Sequence, residues 1–190
     1  GTGSMVCSDI TLRCMRGLAK IKKSKDYLER VVPLEHELIR SSNAGHMLGS
    51  NMFMLNAGQK VLYTGDYCPQ DRLGMEGARP QKCDVLIIEA TYGNPYYRFP
   101  DRREMVKVIH DWVEDMLKQR CSVILHAYPL GKSQELIKML KDFEPRLHGP
   151  VLQATQILES EGLQFDYLPF DAKHTGSQLI ITNGGRGDSF

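Results

Sequence analysis

An α/β fold built in two parts is predicted by three observations. Short extended runs between residues 37 and 64 end at glycine-rich turns, a wholly apolar run (Val85-Leu86-Ile87-Ile88) follows a polar loop, and helical and extended periodicities alternate from residue 102 onward. The change of pattern puts the boundary at Gly93, giving parts 5–92 and 93–190. At 190 residues the chain can bury a real core. Gly1-Thr2-Gly3-Ser4 reads as a cloning remnant and is set aside.

In chain order, residues 8–30 read as a helix, with Ser8 or Asp9 as the amino-terminal cap and Gly17 as a candidate interruption. Extended runs follow at 37–43, 51–56 and 60–64, and Asn56-Ala57-Gly58-Gln59 carries the turn chemistry of a hairpin between the last two. Asp71 to Lys82 is polar, contains Gly74, Gly77 and Pro80, and reads as a surface loop that could border a substrate. Residues 85–88 form a strand of the buried type. Met105, Val106, Ile109, Val113 and Leu117 recur at helical spacing over 102–118. A strand at 122–125 and a helix at 133–140 then complete an α-β-α alternation, followed by a helix at 151–161 stopped by Gly162 and a strand at 178–182.

Composition narrows the function classes. With 42% hydrophobic and 25% charged residues and a formal net charge of +1, the chain has the profile of a soluble domain and lacks the bulk charge of an indiscriminate nucleic-acid binder. The basic run Arg13, Arg16, Lys20, Lys22, Lys23 and Lys25 fits a solvated helix face first and a phosphate-facing stripe second. Five widely separated cysteines (Cys7, Cys14, Cys68, Cys83 and Cys121), with no C-x-x-C pair, fit reduced thiols of a cytoplasmic protein better than a disulfide framework. No stretch reaches the roughly 18 apolar residues of a membrane span.

Chemistry-bearing residues stand where apolar runs meet glycine. Ala44-Gly45-His46-Met47-Leu48-Gly49-Ser50 and Leu62-Tyr63-Thr64-Gly65-Asp66-Tyr67 each place one metal-competent side chain at such a point, so His46 and Asp66 read as two parts of one site. Asp84 to Gly93 adds Glu89 at the end of its apolar run. Histidine nitrogen with aspartate oxygen suits zinc, or manganese where oxygen ligands prevail. Each residue also has a plainer use: a loop histidine, a Gly-Asp turn, or a carboxylate capping the following segment.

In this order and at these intervals, AGHMLGS, LYTGDY and DVLIIEATYG resemble the β-CASP nucleases of the metallo-β-lactamase fold, most closely those of the DNA ligase-associated exonuclease and messenger-RNA 3′-end processing type. The resemblance runs on through Asn94 to Pro100, Trp112 and Ala127 to Leu136, covering roughly residues 5–165. It implies part of a metallo-β-lactamase αββα layer followed by part of a β-CASP parallel-sheet domain, and hydrolysis of RNA or single-stranded DNA phosphodiesters with two zinc ions. It further implies His46 as a ligand of one metal, Asp66 as a bridge between two, Glu89 as an orienting or protonating catalytic residue, and a DNA ligase or an RNA-processing protein as partner. The family's His-x-His-x-Asp-His motif occurs nowhere in the sequence, and all six histidines stand alone. The chain is therefore expected to be an internal portion of such a nuclease, inactive by itself with zinc absent or partial, or else a non-catalytic nucleic-acid-binding scaffold of the same fold.

A second anion-binding element is Leu130-Gly131-Lys132-Ser133. Gly131, Lys132 and Ser133 between a strand and a helix bring amides, a helix amino end and an ammonium together, as a nucleic-acid phosphate requires. The alternative is an ordinary helix start capped by Ser133 with Lys132 solvated. It is not a Walker A loop, because His126 stands where that motif needs its first glycine. Tyr96, Tyr97 and Phe99 could stack on unpaired bases or cover a domain junction.

Overall fold

The computed structural model describes residues 5–22, 31–33, 36–72 and 74–184. The chain forms two compact units, Gly1–Tyr97 and Arg98–Phe190.

The first unit opens with strand β1 (Met5–Cys7), helix α1 (Asp9–Lys22) and strand β2 (Val31–Pro33), with β1 and β2 paired in parallel. Ser8 is the cap of α1: its hydroxyl oxygen accepts the Thr11 amide at 3.2 Å, satisfying one of the orphan donors of the first turn. The helix passes through Gly17 without a break, and the predicted continuation over 23–30 lies outside the described residues. Within α1, Leu12 and Cys14 are buried while Arg13 and Arg16 are exposed; the side chains of Lys20, Lys22, Lys23 and Lys25 lie outside the described residues.

Strands β3 (Ile39–Asn43), β4 (Asn51–Ala57), β5 (Gln59–Tyr63) and β6 (Val85–Ile87) form one sheet in that order. β3–β4 and β4–β5 are antiparallel and β5–β6 is parallel, so β3, β5 and β6 all run the same way. Their carboxyl ends therefore share one edge. The β4–β5 hairpin turns on Gly58, whose φ of +78° suits glycine alone. Met52, Met54 and Leu62 point to one face and form a core with Ala44 and Ala78.

Two expectations need correction here. Val85 to Ile88 has the composition of a strand buried on both faces, yet β6 is exposed along its length, with Ile87 50% accessible. The register shows why: β6 borders only β5 among the described residues, and Val85 and Ile87 extend an outer face already carrying Phe53, Leu55, Val61 and Tyr63. Nor is the polar stretch 71–82 wholly on the surface. Gly77 and Ala78 are buried, because this stretch doubles back under the β3–β4 loop.

The second unit contains α2 (Arg102–Lys118), β7 (Val123–His126), α3 (Lys132–Met139), β8 (Arg146–Leu147), α4 (Gly149–Ser160), β9 (Leu168–Pro169) and β10 (Leu179–Thr182). The four strands make a parallel sheet in the order β7-β10-β8-β9. Asp101 caps α2 by accepting the amides of Arg103 and Glu104 at 2.8 and 3.3 Å. Alternation along the strands sends Val123, Leu125, Leu147, Leu179 and Ile181 into cores shared with Val113 of α2, Ile137 of α3 and Val151 of α4. Helices α3 and α4 are the crossovers that parallel pairing demands. Among the described residues, no helix is long and apolar enough to cross a membrane.

Candidate metal centre

Three loops leave the shared edge of the first sheet: Ala44–Ser50 after β3, Thr64–Asp66 after β5, and Ile88–Ala90 after β6. The topology thus gathers His46, Asp66 and Glu89 from positions up to 43 residues apart. His46 Nε2 and Asp66 Oδ2 lie 4.0 Å from one another, with side chains 46% and 76% exposed. Glu89 joins them electrostatically. Its carboxylate accepts the Thr91 hydroxyl and amide, the latter at 2.9 Å, and these bonds hold its pKa below the ordinary glutamate value, with smaller contributions from the Tyr67 amide and His46. A carboxyl so held is ionised at neutral pH. A carboxylate so held can orient a ligand or a bound water through hydrogen bonds.

The loop bearing His46 is fixed from three sides. Internally, the Ala44 amide donates to the Ser50 carbonyl at 2.9 Å, the Gly45 amide to Asn43 Oδ1 at 2.9 Å, and the Met47 amide to Ser50 Oγ at 3.1 Å. From α1, the hydroxyls of Ser8 and Thr11 donate to the Gly49 carbonyl at 3.0 and 2.7 Å. From beneath, the Cys68 amide donates to the Ala44 carbonyl and the Ala78 amide to the Cys68 carbonyl, both at 2.8 Å. Gly45 sits in the left-handed region at φ +66°, so close to this support that a Cβ there would stand 2.3 Å from the Cys68 oxygen.

Sequence reasoning missed the residues that do this bracing. Arg72 Nη2 donates to the carbonyl of Gly45 at 2.5 Å and to that of His46. Asn43 Nδ2 donates to the Glu76 carbonyl at 2.8 Å. Asp71 accepts the Gly77 amide at 2.8 Å and Arg79 at 3.0 Å, which holds its carboxyl below the usual aspartate range, the backbone bond contributing most. The only local signal was an acidic-basic pair inside a glycine-rich loop, which ordinarily marks a solvated turn.

Whether His46 and Asp66 fit a cation is a question of reach. A tetrahedral zinc ion bound to both at about 2.1 Å sets the two donor atoms roughly 3.4 Å apart. The observed 4.0 Å is wider than that, a gap that rotation of these exposed side chains can close. Two donors are not four, however, and no group of three or more His, Cys, Asp or Glu side chains among the described residues is placed to hold a metal ion. The pair fits as part of a centre and does not make a whole one.

The cleavage and polyadenylation specificity factor subunit 3 of Dictyostelium discoideum is 38% identical over 178 residues, 88% of this chain and 22% of that protein. The chain belongs to the β-CASP nucleases of the metallo-β-lactamase fold. An endoribonuclease YSH1 of Mycosarcoma maydis is 34% identical over 126 residues, and a probable DNA ligase of Opitutus terrae is 27% identical over 189. These alignments span 62% and 93% of this chain but 14% and 18% of those proteins, so the β-CASP chain covers about a fifth of the length of the curated relatives it matches. No family model matches it. Its α/β architecture is part of the metallo-β-lactamase and β-CASP fold.

The second candidate element lies in the other unit. Gly131, with φ +87°, precedes α3, and its amide donates to Gln134 Oε1 at 2.8 Å. Ser133 is not the cap. It is fully buried at the second helical position, and its hydroxyl lies 2.8 Å from the carbonyls of both Tyr128 and Pro129. Of the three residues, Lys132 alone presents an exposed side chain. Among the aromatics, Tyr96 is 91% exposed, Tyr97 packs edge-on to Tyr92 at 5.4 Å, and Phe99 is also exposed.

Proposed function

We propose that this chain carries the His46, Asp66 and Glu89 portion of a divalent-metal-dependent phosphodiesterase centre acting on RNA or single-stranded DNA. The observation that carries the reading is the 4.0 Å approach of His46 Nε2 to Asp66 Oδ2 at a sheet edge where Glu89 also follows its strand. The names of the relatives support the substrate class, since one is an endoribonuclease and another a DNA ligase. In this reading, residues up to about 92 belong to the metallo-β-lactamase layer and the remainder to the β-CASP part.

His46 and Asp66 would each give a ligand to zinc or manganese. Such a cation, when bound, neutralises phosphate oxygens and brings the pKa of coordinated water toward neutrality. Asp66 has the second oxygen that bridging requires. Glu89, ionised and held by Thr91, would orient a ligand or accept a proton. Exposed Lys132 offers a contact to a nucleic-acid phosphate. We further propose that the five free thiols suit a reducing, cytoplasmic setting, and that a DNA ligase or an RNA-processing assembly is the partner.

Two protein ligands cannot fix a pair of cations, so the 190-residue chain alone is proposed to be without turnover. The test incubates the purified chain with labelled RNA and single-stranded DNA in zinc and in manganese. No metal-dependent cleavage is expected. Cleavage that copurifies with the chain and vanishes in Asp66→Ala would overturn the inactivity and leave the site assignment standing.

A further inference from the structure

We propose that Arg72 is a positioning residue for His46, an inference that rests on reading His46 as a metal ligand. One guanidinium nitrogen donates to two consecutive carbonyl oxygens, those of Gly45 and His46. In an extended chain successive carbonyls point to opposite sides. Here both face Arg72, because His46, which joins the two peptide units, lies in a bend and not in extended chain. The peptide units on either side of the His46 Cα are thereby held by a single cation that never loses its charge.

That grip matters because the imidazole has little else to aim it. The ring is about half exposed, and its described charged neighbours are Asp66 at 4.0 Å and, through a weaker electrostatic interaction, Glu89. A histidine in such a position keeps its direction only if its backbone is rigid, and a ligand loosened in this way loses affinity before it loses fold. The bonds that hold Ala44, Gly45, Met47 and Gly49 act on the residues to either side of His46. Arg72 acts at the ligand itself, and it does so from a segment that is in turn pinned, since neighbouring Asp71 accepts the Gly77 amide and Arg79.

The experiment compares the 190-residue chain with Arg72→Gln, Arg72→Lys and Arg79→Ala. Backbone hydrogen exchange over residues 44–50 reports the loop, and the nitrogen resonances of the His46 ring during a zinc chloride titration report the ligand. Melting curves identify any variant that fails to fold. Arg72→Gln is expected to raise exchange at 44–50 while β4 and β5 stay protected, and to shift the zinc midpoint at the His46 ring by about 10- to 100-fold. Arg72→Lys, which can still place one ammonium against both carbonyls, should recover part of both effects. Arg79→Ala, which loosens the support of Asp71 but leaves the Arg72 guanidinium in place, should move both readouts by less than Arg72→Gln does. Unchanged exchange in Arg72→Gln overturns the inference whatever zinc does, and so does raised exchange with an unmoved midpoint. If the parent chain shows no zinc response at His46, the metal reading of this site fails, and exchange alone decides whether Arg72 holds the loop.

Discussion

Alanine at Gly45 should destabilise the first unit by more than alanine at Gly58, and the difference isolates the steric cost of the support beneath the His46 loop. Both glycines are left-handed, at φ +66° and +78°, so each substitution incurs the same conformational penalty of about 1–2 kcal/mol. The surroundings differ. A Cβ at Gly58 would meet nothing within 4 Å, whereas one at Gly45 would stand 2.3 Å from Cys68 O, 2.6 Å from Ala78 N and 2.9 Å from Gly77 C. All three neighbours are backbone and cannot rotate away, so overpacking adds about 1–3 kcal/mol. The expected totals are about 1–2 kcal/mol for Gly58→Ala and about 2–5 kcal/mol for Gly45→Ala. Urea denaturation followed on the amide resonances of Met54 and Leu62, in the core next to the loop, measures both. Equal stability of the two variants within about 0.5 kcal/mol would refute the packing described for residues 68–78.

Two further outcomes follow from the same geometry. Asp71 and Glu89 both have lowered pKa values, Asp71 chiefly through the Gly77 amide and Glu89 through Thr91, so the stability they contribute is complete above the unfolded values near about 4 and is lost as pH falls through the lowered folded ones. Hydrogen exchange at Gly77 and Thr91 should therefore stay slow at pH 5 and accelerate only below the model-peptide range at about 4; acceleration already between pH 6 and 5 would contradict it. Lys132→Ala should weaken single-stranded RNA binding and reduce the slope of log K against log salt by about 0.7. An unaltered slope would leave Lys132 as a solvated side chain at a helix start.

Much of this fold is legible in short windows of sequence. The spacing of Met105, Val106, Ile109, Val113 and Leu117 over residues 102–118 matches α2, and Asn56 to Gln59 matches the turn on Gly58. These elements are set by local periodicity and by one residue's φ, which a sequence displays directly. Strands β8 and β9 are two residues each, too short for any alternation to show. The exposure of β6 was illegible for a different reason: burial depends on what lies beside a strand, and Val85 to Ile88 reads the same covered or bare. In the site, His46, Asp66 and Glu89 stand out as polar side chains at glycine turns. Arg72 does not, because its carbonyl partners lie 26 and 27 positions away and its role exists only after the chain has doubled back. Ser133 misled for the complementary reason, since Gly-Lys-Ser looks like a cap while the structure gives the capping bond to Gln134.

The central claim is that His46 and Asp66 share one cation, and anomalous diffraction tests it most directly. Crystals of the 190-residue chain soaked in zinc chloride would be measured on both sides of the zinc absorption edge, alongside crystals of Asp66→Ala. The account predicts an anomalous peak at about 2.0–2.2 Å from His46 Nε2 and from an Asp66 carboxylate oxygen, lost in the variant. A parent crystal in which those two side chains point apart, or in which zinc binds only at other residues, would contradict it.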